Sequence, residues 1–177
     1  MIQPKCTKFW LVMKIFTSSI NGFRRVGASL NTESFFWLLI KDRLSTRNLL
    51  RRRNMHLDSY NCVLCNMLVE ESAHHLFVDH SFTRMCWDIL NVDIPLDGDF
   101  PNLAVEIKEQ LNTWFFMEAI ILLCWTIWIV RNELIFKGNG LNLVECRRVL
   151  MYELSLLKHK VKPRHQDQFT SWIQNLG

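Results

Sequence analysis

Apolar residues along this chain recur with the spacing of helices. A run with i, i+3, i+4, i+8 spacing, which places side chains on one face of an α-helix, consists of Phe36, Leu39, Ile40 and Leu44. Thr32 precedes this run and can cap the helix. Alternation of apolar and polar residues, which would indicate strands, is confined to short pieces. The pattern therefore predicts a mainly α protein.

A second, short helix is predicted immediately afterwards. Ser45 or Thr46 can serve as its N-cap, and Leu49 and Leu50 are expected to face inward. Its opposite side is basic. The cations of this side and of the preceding turn are Lys41, Arg43, Arg47, Arg51, Arg52 and Arg53. Because consecutive residues fan around a helix, at least two of the last three arginines must face solvent.

Two more helices are predicted in the middle of the chain. Ser72 is a candidate cap for a short helix that carries His75, and another helix is expected over about residues 81–90. The side chains expected to point inward from the latter are Phe82, Met85, Trp87, Ile89 and Leu90. Turn-forming Pro and Gly residues then cluster between 91 and 103, which is typical of a linker, and we expect the linker to cover residues 93–113.

The longest apolar stretch covers residues 114–130 and contains one charge, Glu118. Its seventeen residues fall short of the roughly 20 that a membrane-spanning helix needs, so we expect a buried core helix and no membrane span. The Gly-Asn-Gly run that begins at Gly138 should end this element. A weaker amphipathic helix is predicted over residues 142–160 and should end before Pro163.

A window of cysteines and histidines carries the clearest chemical signal. Cys62, Cys65, His75 and His80 follow the pattern C-x2-C-x9-H-x4-H. Thiolates and imidazoles at such spacing can surround one tetrahedral ion, as in a closed structural zinc site. Residues five apart do not share an α-helical face, so the helix must end or bend before His80 for both histidines to bind.

Three other residues could replace His80 as the fourth ligand. Asp79 shares a helical face with His75, and His74 and Cys86 are also close in sequence. The residue after the second cysteine of such a knuckle often takes a left-handed conformation. Asn66 occupies that position here and tolerates the conformation well.

The net charge of +4 is unevenly distributed. Residues 1–60 carry eleven Lys and Arg against three acidic residues, a net of +8, whereas residues 61–177 carry ten against fourteen, a net of −4. A basic first half suits contact with a polyanion, although a solvated basic face gives the same composition. The first 32 residues contain no acid, which is loosely typical of an organelle-targeting segment. Cysteine spacing shows no disulfide framework, so reduced thiols in an intracellular compartment, nucleus or cytoplasm, are expected.

Several motifs, taken in order, resemble a known family. They are Phe35-Phe36-Trp37-Leu38-Leu39, Leu44-Ser45-Thr46, Cys62-Val-Leu-Cys65, Glu71-Ser72-Ala-His-His75-Leu76-Phe77, Trp87 and Trp125-Thr-Ile-Trp128-Ile-Val-Arg131-Asn132. This order is similar to the reverse transcriptase zinc-binding domain of plant LINE-type retrotransposon polyproteins. The resemblance implies Cys62, Cys65 and His75 as zinc ligands, with the fourth at position 80. The family has cysteine there and this chain has His80, which is also a legitimate zinc ligand.

Together these features predict a small zinc-stapled helical domain followed by a hydrophobic helix and a weaker C-terminal amphipathic helix. The predicted segments are a basic N-terminal extension (1–31), a zinc-binding domain (32–92), a linker (93–113), a helical C-terminal region (114–160) and a tail (161–177).

The predicted function is non-catalytic. The chain lacks the adjacent aspartates of a polymerase palm, and phosphate-loop, dinucleotide and nucleophile-elbow patterns are absent. One structural Zn²⁺ is expected, and no small-molecule substrate. The favoured partner is RNA or single-stranded DNA on the basic helix face. The alternative is a protein-interaction module, or a decayed retroelement remnant, in which residues 114–136 expose an aromatic and aliphatic patch.

Overall fold

The structure is a computed structural model that describes residues 30–95, 100–138 and 140–176. Across these residues the regular structure consists of seven α-helices and one π-helical turn, which confirms the predicted mainly α class. In chain order they are α1 (Leu30–Ile40), α2 (Arg47–Arg52), the π turn (His75–Asp79), α3 (Ser81–Asp88), α4 (Phe100–Leu111), α5 (Phe116–Lys137), α6 (Leu143–Lys158) and α7 (Pro163–Gln174). The predicted basic extension lies outside the described residues except for its last two, which begin α1.

The first two helices form where the spacing predicts them. Phe36 and Leu39 are buried on α1, which begins two residues before Thr32. The Thr46 hydroxyl accepts a hydrogen bond from Leu49 N at the start of α2 (3.4 Å), so Thr46 is the N-cap. Capping and one buried leucine hold this six-residue helix in place, since a helix this short is unstable in isolation.

The apolar stretch forms α5, the central helix of the fold. The nine consecutive residues from Phe116 to Cys124 are buried, so no side of the first half of α5 faces solvent. The helix ends at Gly138, which has φ +69° and whose N–H donates to Leu134 O (3.1 Å). Glycine adopts this left-handed conformation without steric cost. The helix is long and apolar enough to cross a membrane, but more than half of its most apolar window is buried inside the protein, as in a core helix.

Burial of α5 also corrects the expectation of an exposed patch over residues 114–136. Its large apolar side chains pack against α1, α3, α4 and α6. The strongly exposed ones lie at the two ends, Trp114 (40% exposed) and Phe136 (79%). A helix that is apolar on all sides needs neighbours on all sides, and here the chain itself supplies them.

The predicted linker contains a helix, so the linker prediction is wrong for residues 100–111. Leu103 and Ile107 of this helix, α4, are buried against α5. Pro101, interpreted above as a turn former, lies in the first turn of α4, where proline is well tolerated. The spacing of four between Leu103, Ile107 and Leu111 was a helical signal in the sequence.

The predicted tail is also structured. α7 begins at Pro163, which therefore starts a helix as well as separating it from α6. Phe169 is fully buried, and its ring packs edge-on against Phe115 (4.8 Å between centroids). Trp172 contacts Phe115 at the same distance. Aromatic packing thus fixes the end of the chain onto the start of α5.

One hydrophobic core connects the first and second halves of the chain. Phe35 on α1 packs against Phe77 (6.1 Å between ring centroids) and against Trp125 on α5 (5.3 Å). α3 contributes Trp87, whose indole N–H donates to Phe77 O (3.0 Å). Met85, expected to point inward from α3, is instead 44% exposed. The predicted zinc-binding segment therefore packs directly on the C-terminal helices.

Candidate metal centre

A short hairpin positions the two cysteines. Asn61 and Glu70 form an isolated antiparallel bridge, and Cys62 N donates to Val69 O (2.7 Å). The turn from Cys62 to Cys65 lies inside this hairpin. Leu68, rather than the expected Asn66, takes the left-handed conformation (φ +55°), because the reversal falls two residues later in the loop.

A π turn brings the two histidines together. His80 N donates to His75 O (3.0 Å), the i→i+5 bond that defines this wide turn. Ser72 Oγ accepts a hydrogen bond from His75 N (3.0 Å), as expected of a cap. His80 itself has left the helical region (φ −68°, ψ 131°). The helix thus ends before His80, as the spacing required, and the two rings lie 5.3 Å apart between centroids.

The four side chains converge on one point. One potential ligand atom from each of Cys62, Cys65, His75 and His80 lies within 4.8 Å of all the others. Cys65 Sγ and His75 Nε2 are 3.6 Å apart. A tetrahedron with zinc–ligand bonds of about 2.0–2.3 Å has edges of roughly 3.3–3.8 Å. The cluster can therefore hold one metal ion after its widest pair closes by about 1 Å.

Burial favours the neutral forms of Cys62, His75 and His80. Desolvation raises the pKa of the Cys62 thiol to about 12. Desolvation also lowers the pKa of His75 and of His80 from the usual 6.5. Neutral imidazole is the form that binds metal, whereas a thiol must lose its proton. Metal binding here therefore releases protons and becomes tighter as the pH rises.

The imidazole of His80 has an incomplete set of partners. Its Nδ1 accepts a hydrogen bond from Phe82 N (3.1 Å) and so caps α3. Its Nε2 is buried and has no hydrogen-bond partner among the residues that the structure describes. A buried polar nitrogen without a partner is costly, and a metal ion in the cluster removes that cost. This is the local observation that best fits a bound cation.

The alternative fourth ligands are engaged elsewhere. His74 Nδ1 and Asp79 Oδ2 pair with each other on the surface (2.9 Å). Cys86 is fully buried on α3, and its Sγ lies 3.1 Å from Cys146 Sγ. None of these three side chains therefore belongs to the cluster around Cys62 and Cys65.

Glu71 ties the metal-binding hairpin to α2 and α5. It is fully buried, and its Oε1 accepts a hydrogen bond from Arg47 N (3.0 Å). Its two carboxylate oxygens also accept from Arg131 on α5, with Nε–Oε2 at 3.2 Å. Arg131 in turn lies over the Trp128 ring (4.7 Å to the centroid). Glu71 and Arg131 each belong to one of the family-like motifs in the sequence. Because they are 60 residues apart, the sequence pattern does not indicate that they form an ion pair.

Arg47 does not belong to the basic face. Its guanidinium is half-buried and donates to Ser59 O and Asn61 O (both 3.1 Å). It therefore supports the hairpin that carries Cys62. The expectation that it faces a polyanion is corrected by these contacts.

The other predicted cations do lie at the surface. Two of them form ion pairs, Arg51 with Glu70 (2.9 Å) and Arg52 with Asp42 (2.6 Å). Arg53 follows them and is exposed. Their positive charge is thus partly neutralised within the protein.

The turn after α1 continues this surface. Lys41 Nζ lies over the ring of Trp37 (4.8 Å to the centroid), and Trp37 is 45% exposed. Arg43 is exposed on the same turn. Because Asp42 contacts Arg52, the turn and the end of α2 are adjacent, and they form one surface that we call the α1–α2 surface.

The comparisons with known proteins agree with the metal cluster. No curated protein and no solved structure matches the chain. A family model described as zinc-binding in reverse transcriptase (zf-RVT) matches residues 1–87. This segment is just under half of the chain and contains Cys62, Cys65, His75 and His80. The first half of the chain is therefore similar to a zinc-binding domain found in reverse transcriptases, and its candidate ligands converge in space.

Proposed function

We propose that this chain contains a non-catalytic, structural zinc module held by Cys62, Cys65, His75 and His80. The observation that carries the proposal is the convergence of these four ligands within the segment that matches the zinc-binding family model. We further propose an origin in a plant LINE-type retrotransposon polyprotein, on the motif order given above, and an intracellular location.

The ligand set supports a structural role. Four protein ligands complete a tetrahedral shell and leave no open position for a catalytic water. The site also lies where it can organise the fold, between the hairpin and the π turn that leads into α3. Its free energy of binding would then contribute directly to folding of this segment.

We propose that the module contacts RNA or single-stranded DNA through the α1–α2 surface. Arg43, Arg53 and Lys41 supply positive charge there, and Trp37 adds an exposed aromatic ring. Cations beside an exposed aromatic ring suit single strands, because phosphates contact the cations and bases stack on the ring. Because Arg51 and Arg52 form ion pairs, they should contribute less to binding phosphates. Substitution of Arg43 and Arg53 is therefore the better test of this surface.

Binding of fluorescent single-stranded RNA and DNA, measured over a range of salt concentrations, tests this proposal. The expected result is weak, sequence-indifferent binding that weakens as salt rises. Arg43→Glu/Arg53→Glu should lower the affinity and reduce the salt dependence while zinc content stays the same. Lys162→Glu/Arg164→Glu, at the N-cap and the second residue of α7, changes the net charge equally at exposed positions and serves as the control.

Two results would contradict nucleic-acid contact through the α1–α2 surface. One is that the chain does not bind RNA or DNA at low salt, and the other is that both double variants lose affinity equally. A salt-insensitive association between protein molecules would instead favour the protein-interaction alternative. Phe136, the most exposed large side chain of α5, is then the first residue to replace.

A further inference from the structure

Two buried thiols from different helices are in contact. Cys86 on α3 and Cys146 on α6 are 60 residues apart in sequence, and their sulfur atoms are 3.1 Å apart. Both side chains are fully buried and both are free thiols. Neither belongs to the metal cluster. Cys124, on α5, is equally buried and is also a free thiol.

We propose that Cys86 and Cys146 form an intramolecular disulfide when the protein is oxidised. A disulfide bond is about 2.0 Å long, so the two sulfur atoms need to approach by only about 1 Å. The helices that carry them already pack against each other. The bond would join the last helix of the zinc-binding half covalently to the C-terminal helices.

The chemistry requires a two-electron oxidant, for which a peroxide is suitable. One sulfur, as thiolate, attacks a peroxide oxygen, which forms a sulfenic acid and releases hydroxide. The second sulfur then attacks the sulfenic sulfur, which forms the S–S bond and expels water. In total, two thiols lose two protons and two electrons, and hydrogen peroxide becomes two molecules of water.

Local structure sets the expected rate. The hydrogen bond with Cys146, followed by desolvation and nearby negative charge, raises the pKa of the Cys86 thiol strongly. Thiolate is therefore scarce, and reaction must be slow in the closed protein. An open cleft of about 400 Å³ lies between the same two helices and is lined by Met85, Ile89, Leu143 and Arg147 among others. The cleft is adjacent to the pair in sequence, since Met85 and Arg147 are the chain neighbours of the two cysteines, but neither cysteine lines it.

The cross-link closes a loop of 60 residues between α3 and α6. Such a bond restricts the unfolded chain and holds the two helices together even when the metal is absent. In a reducing compartment the pair remains a dithiol. After oxidation, the C-terminal helices would stay attached to α3 even if the metal were removed from the hairpin.

Peptide mapping of the zinc-loaded full chain tests the proposal directly. The protein is treated with hydrogen peroxide, its remaining thiols are blocked with N-ethylmaleimide in denaturant, and it is digested with trypsin without reduction. The expected product links peptide 85–108, which contains Cys86, to peptide 138–147, which contains Cys146. Reduction should separate the two peptides, and Cys124→Ala should leave the yield unchanged.

Two results would overturn the proposal. One is full maleimide labelling of Cys86 and Cys146 after Cys62 and Cys65 have already been oxidised. The other is cross-linking of Cys86 to Cys124 as often as to Cys146. The primary measurement uses the unmodified chain, so it does not depend on how well a variant folds.

Discussion

At the scale of single residues, His80 caps α3 and is also the proposed fourth zinc ligand, and these two roles compete for its imidazole. Each ring nitrogen of a neutral imidazole has either a proton or one lone pair. Nδ1 uses its lone pair to accept the Phe82 N–H, which leaves the proton on Nε2. A metal at Nε2 needs that proton moved to Nδ1, and a metal at Nδ1 needs the same lone pair as the cap. Either way, metal binding weakens the cap of α3.

Cysteine at position 80 removes this competition, since a thiolate sulfur has several lone pairs. It can bind zinc and accept the Phe82 N–H together. A helix cap contributes about 1 kcal/mol, so we expect His80→Cys to bind zinc roughly fivefold more tightly. Competition with a chromogenic chelator of known affinity measures this. His74→Cys, at an exposed position nearby, should not tighten binding, and an unchanged or weaker affinity of His80→Cys would contradict the account.

Glu118 is a second residue of interest, because its surroundings disfavour the ionised form of its carboxyl group. It lies in the first turn of α5 and is 5% exposed, and one of its carboxylate oxygens has no hydrogen-bond partner within the described part of the chain. Desolvation raises its pKa from 4.5 to about 7. The folded protein thus retains a proton that the unfolded chain releases between about pH 4.5 and pH 7. Stability falls as the pH rises through this window, and the full cost is present above it.

Glu118→Gln should therefore stabilise the protein, and more so at higher pH. The gain in unfolding free energy at pH 8 is expected to be on the order of 3 kcal/mol, and clearly smaller at pH 5.5. Urea denaturation of variant and parent at each pH measures it, and comparing the two at the same pH cancels changes in metal binding. Glu106→Gln, an exposed glutamate on α4, is the control. An equal gain at both pH values would show that burial does not raise this pKa.

At the scale of elements, the helices that the sequence predicts well are those with strong local signals. These signals can be recognised from neighbouring residues alone. They are the caps at Thr46 and Ser72, the apolar run of α5 and the terminating Gly138. α4 and α7 were missed because their Pro and Gly context outweighed a real apolar spacing. The π turn was beyond prediction in detail, although the need for a break before His80 was evident from geometry.

The local sequence pattern does not predict which of these elements contact each other. Glu71 and Arg131 join the hairpin to α5 across 60 residues, and the pair is almost fully buried. Loss of one partner leaves a buried charge alone, which typically costs about 3–5 kcal/mol, whereas loss of both charges costs much less than the sum.

A double-mutant cycle should therefore show strong coupling between Glu71→Gln and Arg131→Met. Glutamine retains an acceptor for Arg47 N, so the cycle isolates the ion pair. The exposed Lys137–Glu133 pair is the matched control, and its coupling should not exceed about 0.5 kcal/mol. Urea denaturation of the four proteins gives the free energies. Additive effects of the two core substitutions would mean that the ion pair does not link the elements.

At the scale of the whole molecule, one core supports both halves, but only one half contains the metal cluster. The helices α5, α6 and α7 are held by apolar and aromatic contacts among themselves. The segment from the hairpin to the π turn has one isolated bridge and several exposed apolar residues, including Met67 and Leu68. Its order should therefore depend on the ion more than the rest of the fold does.

Removal of zinc is expected to loosen this segment selectively. With a chelator present, amide hydrogen exchange of residues 60–80 should become much faster, while residues 116–136 in α5 retain their protection. The measurement is hydrogen exchange by mass spectrometry on the full chain with and without zinc. Identical protection of residues 60–80 in the two states would show that the ion does not order the segment.

The site itself was predictable from the sequence to an unusual extent, because metal ligands must be close in space and here they are close along the chain. The spacing of Cys62, Cys65, His75 and His80 predicted the cluster, and the structure brings these four together and places the alternatives His74 and Cys86 elsewhere. The contacts of Arg47 and the buried Glu71 could not be anticipated, since both depend on how the hairpin folds back on α2.

The central claim is that two thiolates and two imidazoles of this chain hold one zinc ion. X-ray absorption at the zinc edge of the purified, zinc-loaded chain tests it most directly, because it reports the number and type of ligand atoms. We expect one zinc per chain with two sulfur atoms at about 2.3 Å and two nitrogen atoms at about 2.0 Å, and one sulfur fewer in Cys65→Ser. A shell of oxygen and nitrogen alone, or a shell unchanged in Cys65→Ser, would contradict it.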